Sequence, residues 1–304
     1  MPIILTNDNY YSQEANKDYM SVSQFKDFAG TQYHRSCEAT ALKRLNGLIR
    51  QATSTSLLVG SYVDSYFEGT LDTFKKDHPE LFKKTGDKGL KADYIQAERI
   101  IQRINDDAVF SQYMSGEKQV IMTGKLFGTD WKIKMDSYHD GDKIVDLKVM
   151  RDMNPIWSEE KSQKVDFIRY WGYDIQGAIY QKIVEINTGK KLPFFIACAT
   201  KEAACDINII EITQPYLDAA MDFVEQNISH VLAIKNGTIP ARPCCNCYYC
   251  KASKKITAPV KIDDLIAALP VRKNNNPNAV GADANDEDDC LAYEVPSPDG
   301  VSLF

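Results

Sequence analysis

The sequence lacks the features of a membrane or exported protein. No apolar run approaches the ~20 residues that a membrane-spanning helix needs. The first residues, MPIILTNDNYYSQ, contain neither a basic stretch nor a long apolar segment, so we expect no signal peptide. Eight cysteines without an export signal indicate the reducing cytoplasm rather than a disulfide framework. Histidine is scarce, and its four positions show no spacing typical of a zinc-binding helix.

The rest of the composition is that of an ordinary globular protein, with 44% hydrophobic and 26% charged residues among 304. Its character changes after residue 269, because residues 270–304 are rich in Asn, Pro, Asp and Gly. We predict one folded domain over residues 1–269 and an acidic disordered tail over residues 270–304. Since the tail holds most of the net charge of −6, the domain itself can present a basic channel to a nucleic acid.

Two successive strands are predicted on either side of a turn near residue 140. Apolar and polar residues alternate in the segment WKIKMD, which is typical of a half-buried strand. The residues HDGD favour a turn, and residues 143–149 form the second strand. This hairpin would bring Asp136 near Asp146 and Lys148, which share one face because side chains alternate along a strand.

Two carboxylates and a lysine at one end of a sheet suit the hydrolysis of a phosphodiester. The oxygens of Asp136 and Asp146 are hard ligands of the kind that Mg²⁺ or Mn²⁺ prefers. The ion would polarise a phosphoryl oxygen, and Lys148 would position the attacking water or neutralise developing charge. Because an Asp-x-Lys triplet is common by chance, the alternative is a solvated strand edge.

The following helix strengthens the catalytic interpretation. Residues 171–186 have apolar side chains at helical spacing, and Gln176 and Tyr180 lie four apart on one face. An acidic residue, an Asp-x-Lys and a Gln-x-x-x-Tyr in this order resemble the PD-(D/E)xK nuclease superfamily, specifically its RecB-like and RecE-like branch. Within that branch the chain is most similar to the RecE-like exonucleases of phages and prophages.

The resemblance implies a mixed α/β fold with the αβββαβ core of restriction endonucleases. The N-terminal helices would occupy residues 21–67 and the catalytic core residues 93–235. We predict a single long amphipathic helix over residues 93–113, with Ile95 and Val109 on its buried face.

The resemblance also implies roles for individual residues. Asp136, Asp146 and the Leu147 carbonyl would bind one or two Mg²⁺ ions, while the lysine of the triplet assists the attacking water. Gln176 and Tyr180 would orient these groups or the scissile phosphate.

One metal ligand would differ from those of the relatives. Where relatives offer a histidine from the helix predicted at residues 57–67, this chain has Asp64, also a suitable Mg²⁺ ligand. The alternative for Asp64 is a solvated helix residue. Basic residues near the site are predicted to contact DNA phosphates, namely Lys132, Lys134, Arg151 and Arg169.

Cysteines are concentrated in the segment RPCCNCYYCK. Cys244, Cys247 and Cys250 form a C-x-x-C-x-x-C pattern, and thiolates at this spacing suit zinc or an iron–sulfur cluster. In the iron–sulfur relatives one N-terminal cysteine and three C-terminal ones join the two ends of the nuclease domain, which implies Cys37 as the fourth ligand. Cys245 could replace Cys244, and a reduced cluster without metal is the alternative.

The resemblance implies a metal-dependent DNA exonuclease of a bacterial or phage-infected cell. It would digest linear double-stranded ends and leave single strands for an annealing recombinase. Processive relatives form rings around DNA, so a homo-oligomer is a further implication. Two alternatives stay open, namely an iron–sulfur exonuclease of CRISPR spacer acquisition and a non-catalytic DNA-binding or adaptor protein on the same fold.

Overall fold

The computed structural model describes residues 2–51, 53–86, 88–256, 258–263 and 293–294. Apart from the short strand Tyr293–Glu294, the predicted tail over residues 270–304 lies outside the described residues. The extent of the single domain over residues 1–269 therefore stays a prediction.

In the described chain a mainly helical N-terminal part precedes a run of strands, and helices and strands are mixed after it. The helices are α1 (Gln13–Asp18), α2 (Val22–Ala29), α3 (Glu38–Leu45), α4 (Thr55–Glu68), α5 (Leu71–Asp77), α6 (Ala92–Asn105), α7 (Ala108–Tyr113), α8 (Phe167–Tyr170), α9 (Tyr173–Thr188), α10 (Gln214–Lys235) and α11 (Tyr248–Ala252). The strands are β1 (Arg50–Gln51), β2 (Val120–Leu126), β3 (Thr129–Met135), β4 (Ser137–His139), β5 (Lys143–Met150), β6 (Ile156–Ser158), β7 (Gln163–Val165), β8 (Phe194–Thr200), β9 (Ile207–Ile212) and β10 (Tyr293–Glu294). None of the helices in the described ranges has both the length and the apolar character that crossing a lipid bilayer requires.

Strand β5 lies inside the mixed sheet that positions the candidate site. The strand order is β4-β5-β8-β9, in which β5 is antiparallel to β4 and parallel to β8. The crossover from β5 to β8 includes α9, as parallel neighbours require. Strands β2 and β3 form a hairpin that leads into β4. The predicted mixed α/β fold with its αβββαβ order is confirmed.

Helices cover both faces of this sheet. On one face α2, α9 and α10 build a core that includes Phe25 and Ile179. On the other face α4 and α6 build a second core, which includes Tyr62 and Ile100. A sheet covered on both sides leaves few places for charged side chains, so those that point inward need partners.

The alternation of side chains along β5 decides where the Asp-x-Lys residues point. Ile144 belongs to the core under α9, whereas Val145 and Leu147 belong to the core under α4 and α6. Because side chains two apart share a face, Asp146 and Lys148 lie on the same side as Ile144. Both charged residues therefore face the layer that contains α9.

The predicted single helix over residues 93–113 is wrong. The chain forms α6 and α7 instead, and the Asp107 carboxylate starts α7 by accepting a hydrogen bond from the Phe110 backbone N–H at 2.9 Å. Ile95 and Val109, predicted to be buried, are 40% and 58% exposed because the two helices present other side chains to the core.

Candidate active site

Asp146 connects two elements of the predicted motif. Its carboxylate belongs to β5 and is only 3% exposed. Gln176 of α9 donates a hydrogen bond from Nε2 to Asp146 Oδ1 at 2.5 Å, and Lys148 Nζ forms an ion pair with Asp146 Oδ2. The structure therefore brings the Asp-x-Lys of the strand and the glutamine of the helix together.

Asp136 lies between β3 and β4 and is tied to the same part of β5. Its Oδ2 accepts a hydrogen bond from the Leu147 backbone N–H at 2.9 Å, and its Oδ1 accepts one from Gln119 Nε2 at 3.4 Å. The first bond holds Asp136 against the residue between Asp146 and Lys148. Asp136, Asp146 and Lys148 thus lie together as predicted, but the predicted pairing of the two strands is wrong, because β3 pairs with β2 and the short β4 pairs with β5.

The carboxylates of this site repel one another. Burial, followed by the charge of Asp146, raises the pKa of Asp136 to about 7. Burial, followed by the charge of Asp136, raises the pKa of Asp64 on α4 well above its usual range. A bound cation would relieve this repulsion, so the donor set fits a divalent metal ion.

Lys148 is held as an ammonium ion. Burial opposes its charge, but Asp146, Tyr173 and Asp136 outweigh burial and raise the pKa of Lys148. Its Nζ lies 5.3 Å from the centre of the Tyr173 ring. A lysine that stays protonated can donate hydrogen bonds and neutralise negative charge, but it is not a base at neutral pH.

Tyr180 lies one turn after Gln176 on α9 and supports the neighbouring strand. Its hydroxyl donates a hydrogen bond to the Lys134 backbone carbonyl at 3.0 Å. Gln176 therefore contacts an acidic residue directly, whereas Tyr180 holds the backbone of β3 two residues before Asp136.

Glu68 belongs to the acidic group although it is part of none of the sequence motifs. It lies on α4, one turn after Asp64, and its charge contributes to the raised pKa values of Asp64 and Asp136. The spacing of four residues between Asp64 and Glu68 was the available signal, because it places both carboxylates on one helix face.

Lys132 is not placed for the predicted contact with DNA. Its side chain is only 1% exposed, and its Nζ donates hydrogen bonds to the Tyr10 carbonyl and to Asn16 Oδ1. This prediction is therefore corrected, since Lys132 holds the N-terminal segment against β3.

The other three basic residues remain at least partly exposed. Lys134 Nζ lies 4.6 Å from the centre of the Tyr11 ring and is attracted by the charges of Glu68 and Asp136. Arg151 and Arg169 each form an ion pair with a nearby aspartate. Their contacts with DNA stay predictions.

Four cysteines from distant parts of the chain form a second cluster. The Sγ atoms of Cys37, Cys244, Cys247 and Cys250 all lie within 4.8 Å of one another. Cys37 directly precedes α3 and Cys247 directly precedes α11, so the cluster joins these two helices. Four thiol groups at such distances suit a metal that prefers sulfur ligands.

Hydrogen bonds favour the ionisation of one of the four thiols, that of Cys37, whereas burial raises the pKa of Cys244 and that of Cys250. Cys244 N–H donates to Cys37 Sγ at 3.4 Å, and Cys247 N–H donates to Cys244 Sγ at 3.2 Å. Burial opposes the ionisation of Cys37, but hydrogen bonds from Thr40 and Cys244 outweigh it and lower the pKa of Cys37 to about 6. Cys245 is outside the cluster, and its Sγ is directed at a backbone carbonyl.

Comparison with known proteins agrees with this geometry. The family described as "PDDEXK-like domain of unknown function (DUF3799)" matches residues 21–253. The crystal structure of a protein from Eubacterium rectale, provisionally named an exonuclease, shares 55% sequence identity and superposes with a TM-score of 0.83, covering 88% of this chain and 100% of that chain. No curated protein matches the sequence significantly. Because the family match spans most of the chain, this protein belongs to the PDDEXK-like DUF3799 family and thus to the PD-(D/E)xK nuclease superfamily.

Proposed function

We propose that this protein is a metal-dependent exonuclease that hydrolyses the phosphodiester bonds of DNA. The observation that carries the proposal is the convergence of Asp136, Asp146 and Lys148, with Gln176 bonded to Asp146. A purely structural scaffold has no need for buried carboxylates that repel one another. The relative with 55% identity is named, provisionally, an exonuclease, which supports the same activity here.

The carboxylates of Asp64, Asp136 and Asp146, with the carbonyl of Leu147, would hold one or two Mg²⁺ or Mn²⁺ ions. Such an ion, when bound, polarises a phosphoryl oxygen and acidifies a water molecule. Glu68 adds negative charge next to these ligands and so favours cation binding.

The other residues of the site fix and complement this centre. Gln176 holds the Asp146 side chain in one orientation, and the Leu147 N–H does the same for Asp136. Lys148, held as an ammonium ion, neutralises the charge that develops on the phosphate during hydrolysis. Tyr180 fixes the position of β3 against α9 through its hydrogen bond to the Lys134 carbonyl.

The proposed substrate is the end of a linear DNA duplex. The order of the motifs resembles that of RecE-like exonucleases. This resemblance supports the proposal that the single-stranded product passes to an annealing recombinase. Closed circular DNA offers no end, so comparing it with the linear form separates exonuclease from endonuclease activity.

The experiment that tests this function incubates linear and covalently closed duplexes with Mg²⁺, Mn²⁺ or EDTA. We expect wild-type protein to degrade only the linear form, only with metal, and Lys148→Ala to lose this activity. Lys182→Ala is the matched control, because Lys182 is a half-exposed lysine that pairs with Glu185. Equal activity of wild type and Lys148→Ala would show that the hydrolysis does not take place at this site. Folded wild-type protein that is inactive with both metals would favour a non-catalytic DNA-binding role.

We propose further that the four clustered cysteines hold zinc or an iron–sulfur cluster that joins α3 to α11. The support is the mutual approach of the four Sγ atoms and the N–H groups directed at them. Metal analysis and absorption spectra of protein purified without oxygen distinguish the two. Bound iron would bring the protein closer to the iron–sulfur exonucleases, whereas the absence of both metals would contradict the proposal.

A further inference from the structure

A second lysine lies next to the candidate active site and has no role in the chemistry described above. Lys26 of α2 directs its Nζ at the turn before α9, donating hydrogen bonds to the Trp171 carbonyl at 2.8 Å and the Gly172 carbonyl at 3.5 Å. Among the described residues Lys26 forms no ion pair with a carboxylate. The charges of Asp146, Asp174 and Asp27 attract Lys26, but none of these carboxylates forms an ion pair with it.

The backbone makes room for this lysine. Gly172 adopts a φ of +65°, and a Cβ atom built at this position would lie 2.8 Å from Lys26 Cδ. Any other residue at position 172 would therefore strain the backbone and displace the lysine. The approach of Lys26 to α9 depends on this glycine and is part of the fold.

Lys26 and Lys148 share one aromatic neighbour. Their Nζ atoms lie 5.5 Å and 5.3 Å from the centre of the Tyr173 ring, within the range of cation–π contacts. The two ammonium groups are close enough to repel each other, since burial and then the charge of Lys148 lower the pKa of Lys26 to about 8. The charges of Asp146, Asp174 and Asp27 oppose this effect only in part, since Asp146 is ion-paired with Lys148 and Asp27 with Arg44.

The ammonium groups of Lys26 and Lys148 are neighbours, and that of Lys26 has no ion pair with a carboxylate. Together they suit a ligand with successive negative charges. A DNA strand offers one phosphate per ~3.4 Å of helix axis, so neighbouring phosphates can meet neighbouring lysines. We propose that Lys26 binds the DNA backbone phosphate next to the one that Lys148 contacts. This inference rests on the proposed function and deepens it by assigning a residue that holds the substrate strand.

A purely structural role for Lys26 makes a different prediction. If the lysine served only to hold the Trp171 and Gly172 carbonyls, an uncharged donor would replace it. Lys26→Gln keeps an N–H donor and loses the charge, whereas Lys26→Arg keeps the charge. The pair of variants therefore separates the phosphate contact from the contact with the carbonyls.

The experiment measures binding of a fluorescent linear duplex by anisotropy in EDTA, where no hydrolysis takes place, over a range of salt concentrations. We expect Lys26→Gln to bind about fivefold more weakly, with a slope of log K against log salt smaller by about 0.9. Lys26→Arg should keep the wild-type slope. Lys182→Gln, which removes a lysine paired with Glu185, should match wild type in both quantities.

Several outcomes would contradict the inference. A Lys26→Gln protein with wild-type affinity and salt slope, changed only in its melting temperature, would show that Lys26 merely holds the carbonyls. If this variant does not fold, Lys26→Met takes its place under the same criteria. Wild-type protein that degrades DNA, together with unaltered binding by Lys26→Gln, would overturn this inference alone. Wild-type protein that neither binds nor degrades DNA would overturn the proposed function and this inference with it.

Discussion

The carboxylate site and the cysteine cluster are built in opposite ways. The carboxylates come from α4, the β3–β4 junction and β5, and their charges repel, as the raised pKa of Asp136 shows. The cysteine cluster joins residues as far apart as Cys37 and Cys250, 213 positions along the chain, and the Cys244 N–H helps to stabilise the Cys37 thiolate. The first arrangement opposes folding and favours an incoming cation, whereas the second fastens two distant segments.

This difference separates function from stability. Oxygen ligands suit Mg²⁺ or Mn²⁺, which keep water molecules and exchange them for substrate. Sulfur ligands suit structural metals, in which four protein ligands fill every coordination position. Changes at the carboxylates should therefore alter activity and leave the fold intact, and changes at the cysteines should do the reverse.

The largest effect is expected for Asp146→Asn. The amide can still accept the hydrogen bond from Gln176, so the fold should persist, but the negative charge for the metal and Lys148 is lost. We expect initial rates on linear duplex DNA to fall about 10²- to 10³-fold, measured at a temperature at which the variant is folded. Asp142→Asn, in the exposed turn before β5, is the control and should retain full activity. Retained activity in Asp146→Asn would show that Asp146 is needed neither for metal binding nor for catalysis.

The next largest effect concerns stability. Replacing Cys250 by Ser removes one of the four sulfur atoms, and with it the connection between α3 and α11. We expect a loss of about 3 kcal/mol in unfolding free energy, or ~10 °C in melting temperature. Cys245→Ser should change neither, because Cys245 lies outside the cluster. Equal melting temperatures of Cys250→Ser and Cys245→Ser would mean that the cluster does not stabilise the fold.

The sequence was sufficient for these two groups of residues because their signals are local. The alternation along β5 sets the directions of Asp146 and Lys148, and helical spacing places Gln176 on one face of α9. The C-x-x-C-x-x-C pattern likewise specified three of the clustered cysteines, and Cys37 followed from the resemblance. The structure adds that Cys244, not Cys245, belongs to the group.

The sequence failed where distant segments meet. Lys132 alternates with apolar residues and was predicted to contact DNA phosphates, but the N-terminal segment pairs beside β3 and covers it. Met20 N–H donates a hydrogen bond to the Asp130 carbonyl at 2.8 Å, and Lys132 N–H donates one to the Met20 carbonyl at 2.9 Å. The alternation of side chains along a strand does not predict which distant segment packs on its polar face. In the same way, apolar periodicity over residues 93–113 concealed the cap that Asp107 provides for a second helix.

A third prediction concerns pH and the repulsion among the carboxylates. The pKa of Asp136 is about 7 in the folded chain and 3.8 ordinarily, so between these values the folded state binds a proton that the unfolded state has released. Stability of the metal-free protein should therefore fall as pH rises through this window. Asp136→Asn lacks this titration. In EDTA the melting temperature of the variant minus that of wild type should therefore increase from pH 4 to pH 8. Mg²⁺ should make this increase smaller. Asp142→Asn should show no such gain, because Lys143 lowers the pKa of Asp142.

The smallest expected effect lies at Glu68, which is part of none of the sequence motifs. Its carboxylate adds charge to the group formed by Asp64 and Asp136, so Glu68→Gln should weaken Mg²⁺ binding without removing a proposed ligand. We expect the Mg²⁺ concentration for half-maximal activity to rise about tenfold, with little change in the rate at saturating metal. Asp72→Asn, which neutralises an exposed carboxylate on α5, should leave the Mg²⁺ dependence unchanged. A reduced rate at saturating Mg²⁺ would instead make Glu68 part of the chemistry, and an unchanged Mg²⁺ dependence would exclude it from the site.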